Sequence, residues 1–241
     1  MKTQIIAECG INANGDVNMA KQQIDYATAA GASAVKFQVY NSEKLHGVSS
    51  PVFKDAKRGE FAYKDLQVLA DYSTIEWLAT PFDEDAVDFL GGVGVTRYKI
   101  ASRSLTDWAL LAKVAKTKKP VILSTGRHDT GAIRKALDVL KGCRVTLLYC
   151  VPNYPTKIQD LNFNRMVKLK DLFKVPIGFS DHTTGIWASV EAVRLGATVI
   201  EKHFTVSRSL PGCDQVCSLE PQEFKLLVKS IRQLEAYQDE L

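Results

Sequence analysis

Val175-Pro176-Ile177-Gly178-Phe179-Ser180-Asp181-His182-Thr183 opens a unit that closes on Ala197-Thr198-Val199-Ile200-Glu201-Lys202-His203-Phe204. Between the two runs, Ile186, Val190 and Val193 fall at helical spacing, and Gly196 is a stop signal. The pattern is strand, helix, strand, and each strand delivers a histidine at its C-terminal end. In a parallel βαβ unit those ends lie side by side, so His182 and His203 are expected to approach one another. Two converging imidazoles suit a divalent metal; a hydrogen-bonded pair of core histidines is the alternative. The chain has only four histidines, and two are placed equivalently, which favours the metal.

The same unit recurs outward along the chain. Strands are expected at Gln4–Glu8, Ala34–Gln38, Ile75–Thr80, Arg97–Ala101, Pro120–Ser124 and Arg144–Cys150. Each leads into a helical pattern: Val17–Ala30, with Asp16 and Gly31 as end signals, then Phe61–Asp71, then a helix capped by Asp83. Later helices carry Trp108, Leu111 and Val114; Ile133, Leu137 and Leu140; and Leu161–Phe173. A last helix starts at Pro221, a favoured first position, and buries Phe224, Leu227, Val228, Ile231 and Leu234. Eight strand-then-helix units in 241 residues imply an α/β fold of the closed (β/α)8 TIM-barrel kind, a single domain over residues 1–241. An open doubly wound sheet would carry a glycine-rich dinucleotide loop after its first strand. Gly10-Ile11-Asn12-Ala13-Asn14-Gly15 does not fit that fingerprint. The polar connection Asn41–Glu60 is long enough for a lid or binding loop, with disorder as the rival reading.

Composition excludes several classes. At 46% hydrophobic the chain can bury one large core, and a net charge of +4, spread along the sequence, gives no case for nucleic acid. No apolar run suffices to span a bilayer, and Glu8 interrupts the N-terminus too early for a secretory signal. Five cysteines without framework spacing suggest a reducing, cytoplasmic setting; Cys213 and Cys217 are read as thiols rather than half a zinc site. The terminal Gln238-Asp239-Glu240-Leu241 resembles an ER-retention tail but lacks an entry signal.

A barrel gathers its reactive residues where strands end. Those ends supply Glu8, Lys36 and Gln38, Thr80, Lys99 and Ser102, Ser124-Thr125-Gly126, Tyr154, Ser180-Asp181-His182, and Glu201 with His203. Lys36 and Gln38 alternate with Val35, Phe37 and Val39, so the polar pair shares one face, as do Glu201 and His203. A charged residue inside an apolar strand is costly unless partnered, and a structural ion pair explains any single case. Repetition around the strands favours a lined pocket. Lys36 and Lys99 with the hydroxyls of Ser102, Ser124 and Ser180 form an anion cradle, and Thr125-Gly126 lets backbone N–H groups approach an anion. Two histidines near Glu8 suit a metal that polarises a carbonyl. Together they point to an aldol-type reaction.

The motifs are more specific than the pattern. Val35-Lys36-Phe37-Gln38, Ala79-Thr80-Pro81-Phe82-Asp83, Tyr98-Lys99-Ile100-Ala101-Ser102, Leu123-Ser124-Thr125-Gly126, Tyr154-Pro155-Thr156, Gly178-Phe179-Ser180-Asp181-His182-Thr183 and Glu201-Lys202-His203-Phe204-Thr205 run the length of the chain. With Ala7-Glu8, Asn12, Pro211-Gly212, Asp214 and Ser218-Leu219-Glu220-Pro221, the series resembles the sialic acid synthase family.

The resemblance implies condensation of phosphoenolpyruvate with an N-acylated aminosugar, N-acetylmannosamine-like, to a sialic or related nonulosonic acid. It implies a divalent metal, Mn2+ or Mg2+, on His182 and His203, and phosphoenolpyruvate on Lys36, Lys99, Ser102, Ser124 and Ser180. Glu8, Gln38, Tyr154 and Asp214 would face water or sugar, with Glu8 the candidate proton-handling carboxylate. A homodimer is compatible with it. The alternatives are a metal-dependent aldolase or lyase on another sugar acid, and a degenerate sugar-phosphate-binding subunit that needs a partner protein. Four departures stand out. The family's C-terminal antifreeze-like domain, which in relatives lends an arginine to the partner's sugar site, has no counterpart in these residues. Arg103-Ser104 replaces a glycine and an acidic sugar-binding residue, Pro152 replaces a polar residue, and Arg127 stands where an apolar residue is usual. The metal and phosphoenolpyruvate ends are thus expected to be kept and the acceptor end altered. Arg103 and Arg127 either favour a phosphate or carboxylate on the acceptor or are surface arginines with no ligand.

Overall fold

In the computed structural model, which describes residues 2–240, the chain alternates strands and helices throughout. Strand β1 (Gln4–Gly10) leads to α1 (Val17–Ala30), whose first turn is capped by Asp16 accepting from the Asn18 and Met19 amides. Strand β2 (Ala34–Val39) is followed by the short helices α2 (Ser42–Leu45) and α3 (Phe53–Gly59), then α4 (Tyr63–Tyr72). Next come β3 (Glu76–Pro81), α5 (Glu84–Val93), β4 (Tyr98–Ile100), α6 (Trp108–Lys116), β5 (Val121–Ser124) and α7 (Thr130–Val139). The chain closes with β6 (Val145–Tyr149), α8 (Phe163–Phe173), β7 (Ile177–Asp181), α9 (Trp187–Arg194), β8 (Val199–His203) and α10 (Pro221–Asp239).

The eight parallel strands run in the order β3-β2-β1-β8-β7-β6-β5-β4, and the end strands β3 and β4 adjoin, so the sheet is a nearly closed barrel. The single-domain (β/α)8 expectation holds. Its strand limits shift by a residue or so: Arg97 and Ala101 lie outside β4, Pro120 outside β5, and Arg144 and Cys150 outside β6. Two expectations change more. The connection after β2 is ordered into α2 and α3, and Ile186 is the residue before α9 rather than part of it.

Strand alternation sorts the core in two. Outward residues such as Ile5, Val35, Phe37, Leu123, Tyr149 and Ile200 pack under the helices. Inward residues Ile6, Ala34, Leu78, Ile122, Leu148 and Val199 form a separate apolar plug in the barrel. β7 contributes Gly178 to that plug because a Cβ there would collide with Val199 O and Leu148 Cδ2. The plug forms a floor, so a ligand can enter only from the C-terminal end of the strands.

Candidate active site

Two residues above the plug residues the inward positions turn polar on every strand but β6, where Cys150 takes the place, and parallel register sets them side by side. Glu8 is level with Lys36 on one flank and His203 on the other, Gln38 with Thr80, and Ser180 with Glu201. The cavity above the floor holds about 480 Å³. Glu8, Lys36, Gln38, Thr80, Lys99, Ser102, Ser124, Tyr154, Ser180, His182, His203 and Asp214 all line it. These twelve residues expected from sequence therefore border one space, whereas Gly126 and Arg127 line a neighbouring one.

Glu201 is the residue whose importance sequence left unmarked. Its Oε1 lies 3.6 Å from Lys99 Nζ and its Oε2 lies 3.6 Å from Lys36 Nζ. Ser180 Oγ donates to Oε1 at 2.8 Å. Lys36 Nζ also sits 2.5 Å from Glu8 Oε2 and donates to Thr80 Oγ1 at 3.0 Å, while Lys99 donates to Ser124 Oγ at 2.8 Å. Gln38 Nε2 donates to Glu8 Oε1 at 3.1 Å. Glu8 Oε2 and Glu201 Oε2 meet Lys36 as ion-pair partners without a well-aligned hydrogen bond, so these contacts can be exchanged for an incoming anion.

Burial and charge pull these groups apart in pKa. Burial alone would raise Glu201, but Lys36 and Lys99 outweigh it and bring the carboxyl down to about 2. Burial pushes Glu8 up to about 7 against the pull of Lys36, with Glu201 adding to the rise. Lys99 is lowered by burial that Glu201 only partly offsets, while the two carboxylates beside Lys36 overcome burial and raise it. The cavity thus holds one firmly ionised carboxylate and one able to exchange a proton near neutrality.

The two imidazoles form the adjacent wall. Their ring centroids are 5.6 Å apart, and Tyr154 stacks on His182 at 4.0 Å while meeting His203 edge-on at 5.5 Å. Tyr154 is still 48% exposed, so it stands at the mouth. Burial lowers both histidines, His203 to about 4, which keeps them neutral with ring lone pairs available. His182 Nδ1 donates to the Val151 carbonyl at 2.7 Å, fixing the tautomer that leaves Nε2 as an acceptor, 3.2 Å from Ser180 Oγ. His203 Nδ1 is buried without a hydrogen bond, 3.8 Å from Asp214 Oδ2. Among the described residues no three His, Cys, Asp or Glu side chains close around a single point. Two neutral imidazoles, one with an orphaned nitrogen, and carboxylates in the same cavity are nevertheless a donor set that suits a divalent cation completing its shell with water or substrate.

A further part of the cavity lining comes from the segment after β2. Ile11, Tyr40 and Ala56 pack with Leu45 and Phe82 as a small separate cluster, and Leu45, His46, Val52 and Ala56 border the cavity. Arg103 also lines the cavity, spending one bond on the Leu45 carbonyl at 3.2 Å. Arg127 does not. It donates to Asn153 Oδ1 at 2.8 Å and borders a neighbouring cavity of about 400 Å³, so only one of the two arginines faces the central space. Pro152 borders the central space too. The five cysteines are free thiols; Cys213 and Cys217 each donate to Asp214, at 3.5 Å and 3.3 Å. No helix among the described residues is long and apolar enough to cross a membrane.

A (β/α)8 barrel with a charged cavity at its C-terminal rim has the build of a barrel enzyme. Comparison with known proteins narrows the class. A family model described as the NeuB family matches residues 23–240, and the chain belongs to that family. It is 41% identical over 256 residues to the N,N'-diacetyllegionaminic acid synthase of Campylobacter jejuni, covering 97% of this chain and 77% of that protein. It is 34% identical over 250 residues to the human N-acetylneuraminate-9-phosphate synthase, covering 96% and 70%. The crystal structure of the N-acetylneuraminic acid (sialic acid) synthetase of Leptospira borgpetersenii serovar Hardjo-bovis, in complex with citrate, superposes with a TM-score of 0.96. That likeness has 38% identity and covers 99% of this chain and 85% of the other. The chain is a sialic acid synthase-like enzyme.

Proposed function

We propose that this enzyme condenses phosphoenolpyruvate with the open-chain form of an N-acylated aminosugar, giving a nonulosonic acid and inorganic phosphate. The observation that carries the reading is the joint lining of one cavity by two buried ammonium groups, four hydroxyls and two neutral imidazoles. Related synthases differ in product, which leaves the acceptor to the residues of this site.

Lys36 and Lys99 bind the phosphate and carboxylate of phosphoenolpyruvate, with Ser102, Ser124, Ser180 and Thr80 supplying hydroxyl donors. The entering anion replaces part of the present bonding to Glu8 and Glu201, and relieves a Lys99 that burial disfavours in its charged form. His182 and His203 would hold Mn2+ or Mg2+, which supplies Lewis-acid polarisation of the sugar aldehyde when bound. C3 of phosphoenolpyruvate attacks that aldehyde, water adds at C2, and the tetrahedral centre loses phosphate by C–O cleavage. Glu8, with a pKa of about 7, takes the proton of the adding water at Oε2 once the entering anion draws Lys36 away, while Gln38 holds its other oxygen. The ammonium groups stabilise charge on the departing phosphate. Tyr154 and Asp214 face the sugar. Arg103, which lines the cavity and spends one bond on the Leu45 carbonyl, favours an acceptor that carries a phosphate or carboxylate.

A phosphate-release assay tests this. Release is expected only when phosphoenolpyruvate, an N-acylated aminosugar and Mn2+ or Mg2+ are all present. Phosphoenolpyruvate hydrolysis indifferent to the sugar would overturn the proposal.

A further inference from the structure

His182 and His203 each follow, by one residue, a charged side chain that points out of the barrel. These are Asp181 and Lys202, ladder partners on β7 and β8, and both are 0% exposed. Lys202 Nζ lies 3.1 Å from Asp181 Oδ2 and donates to the Thr183 carbonyl at 2.5 Å. Asp181 Oδ1 accepts from Thr183 N and Thr183 Oγ1, each at 2.8 Å, and Oδ2 accepts from Ser189 Oγ at 2.6 Å. This knot binds β7, its following turn, β8 and α9 behind the imidazole wall.

Stability does not call for it. A buried ion pair can usually be exchanged for apolar residues of similar size without loss, because removing two charges from water offsets their attraction. What the apolar exchange would not reproduce is directionality: four hydrogen bonds fix the backbone at 181–183 and hold 202 against it. On the inner face, Ser180 to Glu201 is the neighbouring cross-strand link, so the backbone carrying each histidine is clamped from both sides. A third tie runs from Thr156 N to the His182 carbonyl at 2.8 Å.

We propose that the Asp181–Lys202 pair is a positioning element that sets the separation and orientation of His182 and His203, so that affinity for a divalent cation depends on two side chains that never enter the cavity. The inference rests on the cation reading above, and it concerns geometry rather than catalysis. Neither residue is a ligand.

The test uses the full chain, stripped with chelator, with Mn2+ alone as probe: free Mn2+ by electron paramagnetic resonance, and Tm by circular dichroism. Asp181→Asn and Lys202→Met combined keep the side-chain volumes and the acceptor for Thr183 N while removing both charges. The double variant is expected to melt near the wild-type Tm but to bind Mn2+ at least ten-fold more weakly. Ser189→Ala, on α9 and remote from the cavity, leaves the ion pair and removes one bond to Asp181. It is expected to weaken Mn2+ severalfold with little change in Tm, which provides a readout should the double variant fail to fold. Wild-type Mn2+ affinity in a folded double variant, or in Ser189→Ala, would overturn the proposal. Wild-type protein that takes up no Mn2+, or His203→Asn that binds it unchanged, would instead overturn the cation reading.

Discussion

Glu201 links the two lysines of the cavity, yet its position in the sequence marks it only as one polar residue of an inward pair. Alternation shows that Glu201 and His203 share a face, as it does for Lys36 and Gln38. It cannot show that Lys36, Lys99 and Ser180 all converge on Glu201, because that depends on how far each strand is staggered in the closed barrel. The same limit explains Arg127, which the order of residues places beside the rim but the turn after β5 aims at Asn153. Replacing Lys99 by Met tests the cavity at this scale. The loss of one ammonium group from the anion site is expected to lower kcat/KM for phosphoenolpyruvate by about a hundredfold or more. The fold should persist, since Glu201 keeps Lys36. An unchanged KM and kcat would remove Lys99 from the site. Arg103→Ala should raise KM about ten-fold for a phosphorylated acceptor and leave a neutral one unaffected; equal kinetics for the two acceptors in wild type would exclude a charge-reading role.

At the scale of elements, the helices whose starts Asp16 and Asp83 signal are where sequence places them, because caps act locally. Each aspartate accepts from first-turn amides of the helix it precedes, as Asp107 and Asp129 also do. The segment after β2 was less legible. Its helices α2 and α3 bury only Ser42, Ala56 and Gly59, too few positions to show a period in a polar run. Gly126 illustrates how an element end shapes the site. It has φ +51°, and a Cβ there would lie 2.8 Å from Ser102 Cβ and 3.0 Å from Ser102 Oγ. Gly126→Ala is therefore expected to displace Ser102, raising KM for phosphoenolpyruvate while costing about 1–3 kcal/mol of stability by denaturant unfolding. If KM stayed constant while stability fell, Ser102 would have no part in binding.

For the whole molecule, eight repeats of one pattern made the barrel readable, since a parallel sheet of that many strands with helices between has few other ways to close. Electrostatics of the assembled barrel was not readable, and pH exposes it. Glu8 has a folded pKa of about 7, above its unfolded value, so its contribution falls as pH rises between about 4.5 and 7. His203 has a folded pKa of about 4, below its unfolded value, so its contribution is lost as pH falls from about 6.5 to 4. The two oppose each other across the shared window. In metal-free protein, Glu8→Gln should expose the histidine effect, with stability dropping by about 3 kcal/mol between pH 6.5 and 4.5 relative to wild type. A parallel pair of stability–pH curves would contradict these assignments.

The central claim is that one cavity joins phosphoenolpyruvate to an aminosugar aldehyde and expels phosphate by C–O cleavage. Phosphoenolpyruvate carrying 18O at the bridging oxygen, incubated with the enzyme, Mn2+ and N-acylated mannosamine acceptors both neutral and phosphorylated, tests it most directly. The account predicts a nine-carbon-backbone keto acid by mass spectrometry with the label in the released phosphate. Label retained in the organic product, or labelled phosphate and pyruvate with no condensed sugar acid from any acceptor, would contradict it.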